Sequence, residues 1–327
     1  MHHSSATHPV GDTAISVRGL TKRYGSRTVV DALDIDVPRG SIAGFVGPNG
    51  AGKTTTMSML LGLVRPSAGT GEVLGAPIDA PAAFLPRVGA LVESPAFYPS
   101  LTGRQNLRLL ATVGGHDERR IDTVLAEVGL ADLDGDRGDD KYRAYSLGMK
   151  QRLGIAAGLL GDPELLILDE PANGLDPEGV REMRALLGGM ANSGRTVLVS
   201  SHDLSELEQI CDWLVLIDAG RSLYQGPTAE LLADGDAAEL IVVPLDSADR
   251  SRLAKLLAAQ GRDVTLAGRG LVVRTGAGPQ SAPVRPLDLL AADVNASAFE
   301  AGITVVELTP RRTSLEDRFL SMIGASS

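Results

Sequence analysis

From "AISVRGL" onward, short apolar runs alternate with longer amphipathic stretches, a pattern that predicts crossover units and a mainly parallel sheet. "SIAGFVG", Ser41 to Gly47, reads as a buried strand ending in glycine. "KTTTMSMLLGLV" then reads as a helix closed by the turn "RPSAG". A second buried strand is "LLILDE", Leu165 to Glu170, where four consecutive apolar residues run straight into two carboxylates. A third is "TVLVSSH", Thr196 to His202. All three end in polar residues at their carboxyl ends, where ligands bind in open parallel sheets. The mostly helical region from about Thr102 to Leu160 is long for a crossover and predicts a subdomain of its own.

After about Ala237 the texture changes. "ELIVVPL", "RDVTLAG", "GLVVRTG" and "ITVVELT" read as short strands and "SADRSRLAKLLAAQ" as an amphipathic helix, with "GAGPQSAPVRP" as a loop. The expected organisation is a disordered polar tail over 1–13, an α/β domain over 14–236 with its helical subdomain at about 94–163, and a small α+β accessory domain over 237–327. His2, His3 and His8 belong to that tail, and "MHHSSATHPVGDT" lacks the basic start and apolar core of a signal peptide.

Composition narrows the function. A net charge of -10 and 3% aromatic residues argue against a nucleic-acid partner, which needs clustered cations or stacking rings. The single cysteine, Cys211, excludes an internal disulfide framework and reads as a small buried hydrophobe. No run approaches the ~20 apolar residues of a membrane helix, so work at a membrane would need another chain to span it.

Three motifs carry the chemistry. "GPNGAGKT", Gly47 to Thr54, fits the phosphate-binding loop G-x-x-x-x-G-K-[ST] and lies between strand and helix as that loop requires. Glycines at Gly47, Gly50 and Gly52 let backbone N–H groups converge on phosphate oxygens at a helix N-terminus. Lys53 would reach the outer phosphates and the Thr54 hydroxyl would hold Mg²⁺. Asn49 and Thr55 complete the candidate nucleotide contacts of this stretch. In "LLILDE", Asp169 would support Mg²⁺ and Glu170 could orient or deprotonate an attacking water. Two carboxylates at the end of a buried strand are costly without a metal or positive partner. In "SSHD", His202 sits just past a strand end, where it could touch the terminal phosphate.

In this order, these motifs resemble the ATP-binding subunit of an ABC transporter over roughly Ile15 to Pro227. The resemblance implies a P-loop ABC-type nucleotide-binding domain that hydrolyses ATP with Mg²⁺. "YSLGMKQRLGIAAGLL", Tyr145 to Leu160, is similar to the family signature L-S-G-G-Q and its helix. Ser146 and Gly148 match that signature, whereas Tyr145, Leu147 and Met149 depart from it. Ser146 is nonetheless a good N-cap for a helix start that meets an anion. The family's subunits close head to tail over two nucleotides, so a second ATPase subunit is implied. "NGLDP", Asn173 to Pro177, resembles the loop that crosses that interface through Asp176, and Tyr24 matches the aromatic residue that stacks on adenine.

In "LVESPAFYPSLTGRQNL" the family usually carries a Gln that contacts Mg²⁺, and Glu93 stands there. A carboxylate oxygen suits Mg²⁺, so Glu93 joins Thr54 and Asp169 as a candidate metal ligand; capping a turn before Pro95 is its alternative role. This Glu and the signature form resemble the bacitracin-type and lantibiotic self-protection branch and the ABC-2 type drug exporters. The resemblance implies a separate ABC-2 type permease and a place on the cytoplasmic face of the cell membrane. Phe97 and Tyr98 are candidate anchors for that permease, with a local core contact as the alternative. The expected function is efflux of a small amphipathic molecule. The rivals are a soluble ABC ATPase acting on ribosomes or DNA, and a regulatory module that binds ATP without turning it over.

Overall fold

The computed structural model describes residues 12–92, 96–132, 135–233, 239–274 and 287–311, together with 315, 316, 318, 319 and 322. Residues 1–11 of the expected tail and the candidate ligand Glu93 lie outside the described residues. Contacts divide the chain into two compact units, with the division between Thr228 and Ala229.

Among the described residues the first unit is built on two larger sheets and one two-stranded hairpin. Strands β1 (Thr13–Tyr24) and β2 (Arg27–Pro38) form an antiparallel hairpin, and β4 (Ala68–Val73) and β5 (Ala76–Pro77) extend it in the order β2-β1-β4-β5. The hairpin turn uses Gly25 at φ 59°, a conformation that favours glycine. The alternating pattern did not predict this antiparallel layer. Its inward residues Ile15, Val17, Leu20, Leu33 and Ile35 are fully buried in the same core as Phe45 and Met57.

The other sheet is mainly parallel, as the apolar runs predict. Its strands are β3 (Ile42–Val46), β6 (Val88–Leu91), β9 (Leu165–Leu168), β10 (Thr196–Ser201), β11 (Trp213–Asp218) and β12 (Arg221–Pro227). They lie in the order β12-β11-β3-β10-β9-β6, and only β12 runs antiparallel to its neighbour. Every residue of β3, β9 and β10 is buried, which is why these strands read as continuous apolar runs. Their carboxyl ends lie side by side, with Val199 of β10 paired to both Gly44 of β3 and Leu168 of β9.

Helix α1 (Lys53–Leu60) follows β3. Between β6 and β9 come α2 (Gly103–Gly114), α3 (Arg120–Glu127), the short hairpin β7 (Ala131–Asp132) and β8 (Gly135–Asp136), and α4 (Leu147–Leu159). The start of α2 is fixed by a reciprocal cap. The Gln105 N–H donates to Thr102 Oγ1 at 3.1 Å, and the Thr102 N–H donates to Gln105 Oε1 at 3.0 Å. Helices α5 (Pro177–Asn192), α6 (Leu204–Glu208) and α7 (Thr228–Ala233) complete the run up to the division and across it. Cys211 is buried, as its hydrophobic reading requires, and burial pushes its thiol pKa up.

Helix α4 lies hard against β6. A Cβ on Gly89 would sit 2.3 Å from the Gly158 carbonyl oxygen and 2.8 Å from Leu166 Cδ2. Gly89→Ala therefore forces strand and helix apart, at a cost of about 1–3 kcal/mol. Scanning calorimetry should show the thermal midpoint several degrees lower. An unchanged midpoint would mean that the two elements separate freely.

The second unit runs β13 (Glu239–Pro244), α8 (Asp249–Ala259), β14 (Asp263–Ala267), β15 (Gly270–Arg274), α9 (Leu287–Glu300) and β16 (Val305–Arg311). The order β14-β15-β13-β16 with antiparallel neighbours is the split βαββαβ arrangement. Leu253 and Leu257 of α8 and Leu290, Val294 and Ala298 of α9 share one core with Leu240, Val242, Leu271 and Val273. The hydrophobic pattern did not announce α9, because its other side carries exposed Leu289 and Phe299 and so blurs the helical period.

Candidate active site

The loop after β3 is shaped by glycines that cannot be replaced. At Gly47 a Cβ would fall 2.4 Å from the Ile217 carbonyl oxygen, and at Gly52 it would fall 2.9 Å from that of Val29. Gly52 also holds φ 102° as the residue that starts α1. Gly50, at φ 86°, has open space and needs only its backbone freedom. Asn49 and Gly50 are exposed on the loop, Thr54 is exposed on the first turn of α1, and Thr55 is half-buried. The result is a backbone cradle at a helix N-terminus, which suits phosphate.

Lys53 is folded into that loop. Its side chain is 6% exposed, and Nζ donates to the Gly47 carbonyl at 2.7 Å and lies 3.3 Å from Glu170 Oε1. Glu170 Oε2 in turn meets His202 Nδ1 at 3.1 Å. Beside this chain, Thr54 Oγ1 donates to Asp169 Oδ2 at 2.7 Å. The structure thus joins Lys53, Thr54, Asp169, Glu170 and His202 in one place, at the ends of β3, β9 and β10. Thr54 and Asp169 offer hard oxygens next to each other, a donor set that fits Mg²⁺.

Glu170 has φ 47°, a left-handed conformation that costs a non-glycine residue about 1–3 kcal/mol. Its N–H donates to Ser200 Oγ at 2.9 Å, and the Ser200 hydroxyl donates to Asp169 Oδ1 at 2.5 Å. No sequence motif marks Ser200. The signal for it is a hydroxyl that directly follows the apolar run Val197–Val199, two residues before His202.

A second group lies around α4 and α5. Ser146 Oγ accepts from the Met149 N–H at 3.3 Å and caps α4, as its residue type predicts. A Cβ at Gly148 would make only ordinary contacts, 3.7 Å from Leu175 Cδ2 and 4.0 Å from Ser146 Oγ. Asp176 Oδ1 accepts from the Gly179 N–H at 2.8 Å and caps α5, so its carboxylate has a local structural use. Leu147 packs toward Gly174, which ties the start of α4 to the loop before α5.

Tyr24 stands 52% exposed at the end of β1. The Lys22 ammonium lies 4.9 Å from its ring centroid and donates to the Arg65 carbonyl at 2.7 Å. Of the two candidate anchors, Tyr98 is exposed. Phe97 is half-buried and packs edge-on against Tyr142, with centroids 5.2 Å apart, so the local contact describes it.

A profile described as ABC transporter matches residues 30–173. Over 320 residues the chain is 40% identical to the bacitracin transport ATP-binding protein BcrA of Bacillus licheniformis, covering 96% of this chain and 99% of that protein. The chain belongs to the ATP-binding subunits of ABC transporters. It is 38% identical over 320 residues to the daunorubicin resistance ATP-binding protein DrrA3 of Streptomyces coeruleorubidus, covering 96% of this chain and 97% of that one. Among solved structures, cbiO1 from Clostridium perfringens, part of the ABC transporter complex cbiONQ, superimposes with a TM-score of 0.61 at 28% identity, over 68% of this chain and 92% of that chain. The fold around Lys53 is the family's P-loop ATPase fold, and ATP is the nucleotide that this family binds and hydrolyses.

Proposed function

We propose that this chain hydrolyses Mg²⁺-ATP in a head-to-tail pair of ATPase subunits, and so drives efflux of a small amphipathic molecule through a separate ABC-2 type permease. The observation that carries this reading is the Lys53–Glu170–His202 chain set beside Thr54–Asp169. Lys53 is held by Glu170 and its own loop, and an arriving phosphate chain competes for that ammonium. As Lys53 turns to the phosphates, Glu170 loses its cation. Its carboxylate, steered by His202, can then accept the proton of an attacking water. Thr54 gives up its bond to Asp169 and frees one carboxylate oxygen. Thr54 and Asp169 would hold Mg²⁺, which when bound would supply charge neutralisation at the phosphates. Ser146, Gly148 and the Asp176 loop are the surface that would cover the partner subunit's nucleotide. Tyr24 would stack on the adenine, and Glu93 would be a third metal-side ligand.

The names of BcrA and DrrA3 support antibiotic export as the class of work. A lantibiotic transport ATP-binding protein, SrtF of Streptococcus pyogenes, adds a third peptide or drug relative at 37% identity over 64% of this chain and 90% of that one. Among the described residues no helix is long and apolar enough to cross a membrane, so efflux needs a spanning partner. A groove of about 370 Å³, lined by exposed Leu85, Leu110 and Val113 with Gly89, Gly158 and Gly161, supports docking of a permease helix. The membrane's cytoplasmic face is where ATP meets such a helix. Val113→Asp puts a charge in this groove. Affinity purification from membranes should recover an ABC-2 type permease with the wild type and not with Val113→Asp. Equal recovery would contradict docking here, and no recovery with the wild type would contradict the transporter reading.

A further inference from the structure

Ser200 is completely buried near the end of β10, directly after the apolar run Val197–Val199. The strand register explains its position. β10 and β9 are parallel with Val199 opposite Leu168, so the next step along each strand sets Ser200 beside Asp169. One hydroxyl then serves two consecutive residues of the neighbouring strand end. It donates to Asp169 Oδ1 at 2.5 Å and accepts from the Glu170 N–H at 2.9 Å.

The two residues it holds are those that most need holding. Asp169 has one carboxylate oxygen on Thr54 and the other on Ser200. Thr54 is also a residue that would hold Mg²⁺, and with its hydroxyl so engaged Ser200 would be the contact that fixes the carboxylate plane. Glu170 sits at φ 47°, and the Asn173 N–H donating to its carbonyl at 3.1 Å supports only one side of that backbone. The Ser200 hydroxyl supports the other. Asp169 N–H donates to the Leu91 carbonyl at 2.7 Å, so the main chain is anchored elsewhere and the side-chain aim depends on Ser200.

We propose that Ser200 is a positioning residue for ATP hydrolysis, its single hydroxyl aiming the metal-side carboxylate of Asp169 and holding the backbone of Glu170. This rests on the reading of Asp169 as the Mg²⁺ support. Hydrogen bonds that orient ligating groups typically carry 10- to 100-fold in metal affinity or activity. Ser200→Ala removes both bonds with little change in volume. Ser200→Cys keeps a side chain of similar shape but replaces the hydroxyl with a weak donor and acceptor. A packing role would therefore be restored by Cys and a hydrogen-bonding role would not.

The experiment titrates Mn²⁺ into the full chain with saturating ATP, reads bound metal by electron paramagnetic resonance, and measures turnover on the same samples. For Ser200→Ala, Mn²⁺ affinity should fall by about 10-fold and turnover by about 10- to 100-fold, and Ser200→Cys should follow Ala on both readings. Wild-type Mn²⁺ affinity in Ser200→Ala, or full recovery in Ser200→Cys, overturns the role of Ser200 alone. A wild type that binds no Mn²⁺ with ATP overturns the metal reading and this inference with it.

Discussion

Glu170→Gln protein should bind ATP at least as tightly as the wild type and turn it over about 10²- to 10⁴-fold more slowly, the range for a lost general base. The tighter binding follows from the resting contacts. Glu170 Oε1 lies 3.3 Å from Lys53 Nζ, so the carboxylate competes with phosphate for the cation and repels the γ-phosphate as it arrives. Gln has nearly the same shape, keeps the N–H bond to Ser200, and removes the charge that does both. Trapped ATP should also hold two subunits together. Light scattering in ATP should report twice the 34.1 kDa of one chain, and the single-chain mass in ADP. Normal turnover by this variant would remove Glu170 from the mechanism.

Lys53→Ala should weaken ATP binding by roughly 10- to 100-fold, since a hydrogen bond to a charged group is worth about 1.5–3 kcal/mol. Turnover should be lost with it. The effect is larger than one missing contact. Lys53 is paired with Glu170 and is nearly closed from solvent, so Ala takes away the ammonium that balances the carboxylate facing the phosphates. Lys53→Arg should fail as well. The buried niche beside the Gly47 carbonyl suits a compact ammonium, and a planar fork does not fit it. Calorimetric titration of a non-hydrolysable ATP analogue checks both variants, and wild-type affinity in either would contradict the placement of Lys53.

The strongest readings from sequence came from residues whose types are forced. A glycine with a carbonyl 2.4 Å from its missing Cβ, as at Gly47, has no substitute, so the motif spells out the geometry. Buried parallel strands read as apolar runs because both faces are covered, and β3, β9 and β10 were visible for that reason. Other features left weaker traces. The antiparallel layer around β1 joins partners far apart in sequence, such as Val17 with Gly71, and no local pattern records such pairing. Helix α9 hid because apolar residues lie on both its sides. Ser200 leaves no trace in sequence because a serine at a strand end has no motif, and only register reveals that it meets Asp169. Asp176 shows the opposite limit: the structure gives it a helix cap, and its role across a subunit pair rests on family resemblance and the proposed dimer.

The central claim is that this site turns ATP over rather than merely holding it. Phosphate release by the purified wild-type chain with ATP, with and without Mg²⁺ and beside Lys53→Ala, tests that most directly. The account predicts steady release that requires Mg²⁺ and is absent in Lys53→Ala. A wild type that binds ATP but releases no more phosphate than Lys53→Ala would contradict it.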